Sequence, residues 1–301
     1  MSIFDLHMHS NNSRDADYEP KKLVSMAKEA NLKCIALSDH NDMHGIDEMI
    51  EYGKKEGILV IPAIEFDTLF DDLEVHLLGY NFDYKKPYYQ TLAQDIFDLM
   101  DAATHQRIEK FREVFHVELD EDEIMRDTKP GDNPFFTICK KMLNDPANQD
   151  IPAFQDYLPG GKRSNPQIPN FYWDICSPGG PCYVKVNFPS FKETIDRIHE
   201  DGGIAVLAHP WKNFYHREDL LLNAIDMGLD GIEAYSNYHN DDHNQYYDHF
   251  CKEHNLLMTC GSDFHGVLKP QIKMGEYGYS GKKQEELLQN FLKKIHISYL
   301  F

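Results

Sequence analysis

The sequence predicts an α/β fold with a mainly parallel sheet, and three observations carry that prediction. Short apolar runs alternate with amphipathic segments over the first 80 residues, and the same rhythm returns after about residue 190. Strand and helix alternating in this way imply parallel pairing. Histidines and acidic residues gather where several of the apolar runs stop, the end of a strand at which such folds build their sites.

Taken in order, SIFDL (Ser2–Leu6) reads as a strand. Pro20–Ala30 reads as a helix, with Pro at an early position and Leu23, Met26, Ala27 and Ala30 at spacings of three and four. CIALS (Cys34–Ser38) is a second strand, His44–Lys55 a helix and ILVIPAI (Ile58–Ile64) a third strand. EVHLLGY (Glu74–Tyr80) is a fourth strand, opened by an acidic turn.

In the second half, Phe191–Glu200, Glu218–Met227, Asp241–His254 and Glu285–Ile295 have helical patterns. Gly203–His209, Gly231–Tyr235 and Leu256–Ser262 are strands between them. The alternation alone leaves open sheet and closed barrel undecided. From Asp83 to about Cys182 the rhythm breaks. A helical stretch, Tyr88–Phe115, is followed by the Pro/Gly-rich TKPGDNP and LPGGKRSNPQIPN. The expected organisation is therefore a first half-domain over 1–82, a mainly helical insertion over 83–182 and a second half-domain over 183–301. An insertion of this kind usually shapes substrate access.

The net charge of −20 opposes binding duplex DNA through a broad basic face, because neutralising phosphates needs Lys and Arg. It leaves room for a small phosphorylated substrate, or a short RNA end, held by local positive charge such as metal ions. No run approaches the roughly 20 apolar residues of a membrane span, and the first residues lack the pattern of a signal peptide. The expectation is a cytoplasmic protein without membrane contact. Its six cysteines, without CxxC pairs, read as reduced packing residues.

His7 and His9 follow the first strand, and two residues apart on extended backbone they point the same way. Asp39 and His40 follow the second strand and Glu65 the third. His76 lies within the fourth, His209 ends GIAVLAH, and Asp263 and His265 follow LLMTCGS. With 16 histidines in the chain, roughly one chance HxH pair is expected, so His7 and His9 alone say little. Five strand ends bearing such residues are another matter. Imidazole and carboxylate without thiolate suit Zn, Mn or Fe, and a shared carboxylate such as Glu65 suits two metals. His239 and His243, spaced i,i+4, fall in what reads as a solvated helix start; His239 is kept as a substrate contact.

The sequence resembles the PHP (polymerase and histidinol phosphatase) family. The resemblance rests on Asp5–Ser10, Ala36–Asp42, Pro62–Asp67, Glu74–Tyr80, Val206–Pro210 and Gly261–Gly266, in the family's order. It implies a distorted (β/α)7 barrel with an inserted helical cap subdomain and two or three divalent metal ions. One ion would be held by His7, His9, Glu65 and Asp263, and a second by Glu65, His76 and His209. A third would use His40, His265 and Asp15, with Asp17 as the alternative to Asp15.

Within the family the chain resembles stand-alone phosphoesterases acting on nucleoside monophosphates, nucleoside 3′,5′-bisphosphates or the 5′ ends of short RNA. The expected reaction is in-line attack of a metal-bound hydroxide on phosphorus. Glu65, His209 and His265 are the catalytic candidates. Arg14, Arg107, Lys162 and Arg163 are candidates for gripping phosphate. The rival activities are histidinol-phosphate hydrolysis, amidohydrolase chemistry on a C–N bond, and a metal-binding barrel without turnover.

Overall fold

Strand β1 (Phe4–Asp5) starts a sheet whose seven strands lie side by side in sequence order. The computed structural model describes residues 2–13, 15–128, 134–279 and 284–298. Helix α1 (Pro20–Glu29) has Pro at its start and turns Leu23, Val24 and Ala27 inward. Then come β2 (Cys34–Leu37) and α2 (Ile46–Glu56), the latter with Lys54 and Lys55 in its last turn and Gly57 at φ 73° ending it.

Strand β3 (Leu59–Phe70) continues six residues beyond the expected Ile64 and turns at Asp71 into β4 (Leu73–Tyr80). Two residues cannot hold a crossover helix, so β4 runs antiparallel to β3, and it is antiparallel to the next strand as well. All other pairings between named strands are parallel. Mainly parallel is thus correct, with β4 as the exception that the absence of a helix between the two runs dictates.

After α3 (Pro87–Phe115), α4 (Glu121–Asp127), α5 (Pro134–Asn144), α6 (Gln167–Ile175) and α7 (Phe191–Glu200), the sheet resumes at β5 (Ile204–Leu207). It continues through α8 (Trp211–Phe214), α9 (Glu218–Asp226), β6 (Gly231–Ser236), α10 (Asp241–Glu253) and β7 (Leu257–Gly261), and α11 (Gln284–Lys294) follows. The hydroxyl of Ser190 caps α7 by accepting the Glu193 N–H, and Asn240 caps α10 by accepting that of His243.

The sheet curls into a nearly closed barrel. Leu6 donates its N–H to the Cys260 carbonyl at 3.1 Å, Asp263 to His7 at 2.9 Å, and His9 to Phe264 at 2.9 Å. These bonds join the first strand to the last and settle the question the alternation left open. The barrel core holds Phe4, Ile61, Leu78 and Val206, and Leu288, Phe291 and Leu292 of α11 pack into the same cluster.

The chain divides into two compact units, one of 1–93 with 189–301 and one of 94–188. Helix α3 starts in the first and continues in the second, so the break in sequence rhythm at Asp83 precedes the structural division. The second unit has its own core, with Ile108, Phe111, Ile138, Met142, Phe154 and Phe171 fully buried. All six cysteines are free and buried.

Candidate metal centre

The barrel gathers the other eight of the nine expected ligands around Glu65. Glu65 lies inside β3, not after it, at zero exposure. Its Oε2 faces His7 Nε2 at 3.1 Å, His9 Nε2 at 3.2 Å and His40 Nε2 at 3.4 Å. Its Oε1 faces His76 Nδ1 at 2.9 Å and His209 Nε2 at 3.0 Å. His76 reaches the cluster from mid-strand because β4 runs back alongside β3, opposite Asp67.

On the far side, Asp263 Oδ1 lies 3.1 Å from His7 Nε2 and 2.9 Å from His9 Nε2. Asp15 Oδ2 lies 2.9 Å from His265 Nε2 and 3.9 Å from His40 Nε2. Asp17 faces away and accepts the N–H of Val267. His209 and Asp263 hold positive backbone angles, φ 23° and 56°. Such strain in non-glycine residues is maintained only where surroundings enforce it.

These atoms form sets in which every ligand atom lies within 4.8 Å of the others: His7, His9, Glu65 and Asp263; Glu65, His76 and His209; His9, Asp15, His40 and His265; and His40, Asp67 and His76. The donor chemistry fits divalent cations. His7 gives its Nδ1–H to Glu233 at 3.0 Å, so Nε2 turns a lone pair toward two carboxylates. His7 Nε2 and Glu65 Oε2 have no hydrogen-bond partner among the described residues. His265 gives its Nδ1–H to the Asp263 carbonyl at 2.7 Å, which leaves Nε2 facing Asp15 in the same manner.

Electrostatics follow from this crowding. Burial acts to lower the pKa of His7, but Glu65, Glu233 and Asp263 reverse it and hold the imidazole well above its ordinary value. His9 is likewise opposed by burial and raised to about 9 by Asp263 and Glu65. His76 is raised by Glu65 and Asp67 against the same burial. In return, and again against burial, the imidazoles hold Glu65 well below the usual carboxylate range, and His265 and His40 do so for Asp15. His40 goes the other way, to about 4, because burial outweighs its carboxylates.

Several residues escaped the sequence reading. Glu233 sits inside β6 and accepts both from His7 and from the backbone N–H of His209, at 2.8 Å. Asp67 faces His76 and accepts from Asn41. Tyr238 donates to Asp263 Oδ2 at 2.6 Å, and Lys269 lies 3.3 Å from that oxygen, 3.1 Å from the Tyr238 hydroxyl and 3.0 Å from His265 Nε2. A carboxylate two residues into GIEAY was the available signal for Glu233; a lysine six residues past Asp263 offered none. Asp39, beside His40, does not enter the cluster but accepts from Ser10 N and Oγ, both at 2.6 Å. Asp5 likewise holds Ser262 and Gly275 across the barrel seam.

The expected substrate contacts are scattered. Arg14 lies outside the described residues. His239 is buried rather than solvated: it gives Nδ1–H to the Ala234 carbonyl at 3.1 Å and stacks on Tyr247. In the second unit, Lys162 is exposed, and Arg163 is committed to Asp174 through two bonds of 2.9 Å. Arg107 is 1% exposed, with one nitrogen on the Val184 carbonyl and its guanidinium over the Phe135 ring. Its Nε and Nη1 have no partner among the described residues.

Comparison with known proteins places this geometry. Residues 5–129 match the PHP domain model. A 5′-3′ exoribonuclease of Haemophilus influenzae is 28% identical over 87% of this chain and 89% of its own length. A 3′,5′-nucleoside bisphosphate phosphatase of Chromobacterium violaceum is 26% identical, with 88% of each chain covered. Among solved structures, a chain from Bifidobacterium adolescentis shares the fold with a TM-score of 0.72 and 22% identity, covering 99% of this chain and 97% of that one. No helix among the described residues is long and apolar enough to cross a membrane.

Proposed function

The chain belongs to the PHP family, and from that premise we propose that it is a metal-dependent phosphoesterase hydrolysing nucleotide-like phosphate esters. Nucleoside monophosphates, nucleoside 3′,5′-bisphosphates and short 5′-phosphorylated RNA are the substrate classes, in keeping with what the exoribonuclease and bisphosphate phosphatase relatives are named for. The single observation that carries the reading is Glu65, whose two oxygens each face a different set of imidazoles. A carboxylate so shared is suited to two cations at once.

In this reading His7, His9, Glu65 and Asp263 hold one ion, Glu65, His76 and His209 a second, and Asp15, His40 and His265 a third. Mn, Zn and Fe all suit the donors. Bound ions of this kind neutralise phosphate charge and lower the pKa of water. The chain's own residues do the rest. Glu233 and the Asp263 carbonyl engage Nδ1 of His7 and of His265, so that Nε2 is the nitrogen each turns toward an ion. His209 and His265 turn Nε2 into the cluster, and as ligands they orient the site. The Tyr238 hydroxyl and the Lys269 ammonium are the nearby groups that carry protons without holding an ion.

The test is a hydrolysis panel on metal-stripped protein resupplied with Mn²⁺, Zn²⁺ or Fe²⁺. The substrates are AMP, adenosine 3′,5′-bisphosphate, histidinol phosphate and a short 5′-phosphorylated RNA. Turnover is expected for the nucleotide-like substrates. His9→Ala and Asp263→Ala should each lose at least about a hundredfold. Absence of turnover with every metal sinks the enzyme reading, and undiminished activity in either variant sinks the site.

A further inference from the structure

We infer that Trp211 and His243 form a stacking platform for the base of a nucleotide substrate, an inference that rests on the phosphoesterase reading. Trp211 opens α8 two residues after His209, with its backbone N–H on the His209 carbonyl at 2.9 Å. It remains 40% exposed, one of few large apolar side chains so open. His243 lies in the first turn of α10, which follows β6 as α8 follows β5. Both therefore rise from the ends of neighbouring parallel strands, the end at which His209 meets Glu65.

Two groups of rings meet at the adjacent residues Tyr238 and His239. His209 meets Tyr238 at 5.5 Å between centroids, His239 meets His243 at 5.8 Å, and His243 faces Trp211 at 6.5 Å with only 32° between the planes. Tyr215 buttresses His243 edge-on at 4.3 Å. The backbone N–H of Asn240 donates to His243 Nδ1 at 3.3 Å, which holds the imidazole plane in position. Flat, exposed aromatic rings are the surfaces on which bases stack, whatever their sequence.

The chain has two tryptophans, Trp173 and Trp211, so a Trp173→Phe background leaves Trp211 as sole reporter. Metal-loaded protein is mixed with AMP or with ribose 5-phosphate, and Trp emission is followed by stopped flow before turnover. AMP should quench Trp211 and ribose 5-phosphate should not. In steady state, Trp211→Ala should lower the kcat/KM ratio of AMP over ribose 5-phosphate roughly tenfold, the size of one lost stacking contact. Trp211→Phe, which keeps a smaller ring and the packing, should fall between. Equal emission changes with both ligands, or an unchanged ratio in both variants while AMP is still hydrolysed, overturns the platform alone. Hydrolysis of neither these two nor adenosine 3′,5′-bisphosphate nor the short 5′-phosphorylated RNA overturns the phosphoesterase reading and the platform with it.

Discussion

Glu233 and His7 are joined at 3.0 Å between Oε1 and Nδ1, both at zero exposure, while the other Glu233 oxygen accepts the His209 N–H. One carboxylate thus orients a residue from each of the first two ligand sets. Loss of such a partner typically weakens metal binding 10–100-fold. Glu233→Gln should show a loss of that size in metal titration, with the far-UV spectrum retained. Affinity equal to wild type would remove Glu233 from the site's support.

Lys269, its side chain 22% exposed, contributes positive charge beside Asp263, whose other neighbours are imidazoles and the Tyr238 hydroxyl. In metal-free protein, Lys269→Met should cost on the order of 2 kcal/mol, because a buried carboxylate loses its fixed cation. Divalent ions supply the missing charge, so the deficit should narrow when metal is added. Denaturant unfolding of both proteins, stripped and metal-loaded, measures this. An equal deficit in the two states would mean that Lys269 acts through packing alone.

Metal affinity should rise with pH. His7 and His76, held well above their ordinary value, and His9, at about 9, carry protons at neutral pH that must leave before those nitrogens bind a cation. The sign for stability is the reverse. Their folded-state pKa is raised, so the stability they give the metal-free protein is complete below about 6.5 and lost as pH climbs through 9. Calorimetric titration in two buffers of different protonation enthalpy reads the proton release, and unfolding at pH 6.5 and 9 reads the stability. A pH-independent metal affinity contradicts both.

Arg107 buries a guanidinium with two nitrogens that have no partner among the described residues. Arg107→Met removes that uncompensated charge at similar volume, so the melting temperature should hold or rise by a few degrees. A fall in melting temperature would mean that the contacts of Arg107 with the Val184 carbonyl and the Phe135 ring outweigh the buried charge.

Much of the fold was legible because its signals are local. The alternation of apolar run and amphipathic segment marks six of the seven strands and α1, α2, α3, α7, α9, α10 and α11 within a few residues, while α4, α5, α6 and α8 were not read individually; the Pro at the start of α1 is read directly. The extra length of β3 was hidden because Glu65, Asp67 and Thr68 interrupt the apolar run that continues to Phe70. These polar residues are tolerated there by partners elsewhere in the chain: imidazoles for Glu65, Asn41 for Asp67, and the Val75 carbonyl for Thr68.

The sequence by itself determined which residue types stand at the strand ends, because a period-two strand leaves its last side chains at the barrel mouth whatever follows. It thereby marked His7, His9, His40, His209, Asp263 and His265. Only the tertiary structure decided who shares Glu65, that Asp15 and not Asp17 faces His265, and that Glu233 and Lys269 belong to the same neighbourhood. Those are distances between residues as far apart in the chain as Asp15 and His265. They follow from the reversal at β4, which the two-residue turn dictates, and from barrel closure, which no local pattern encodes.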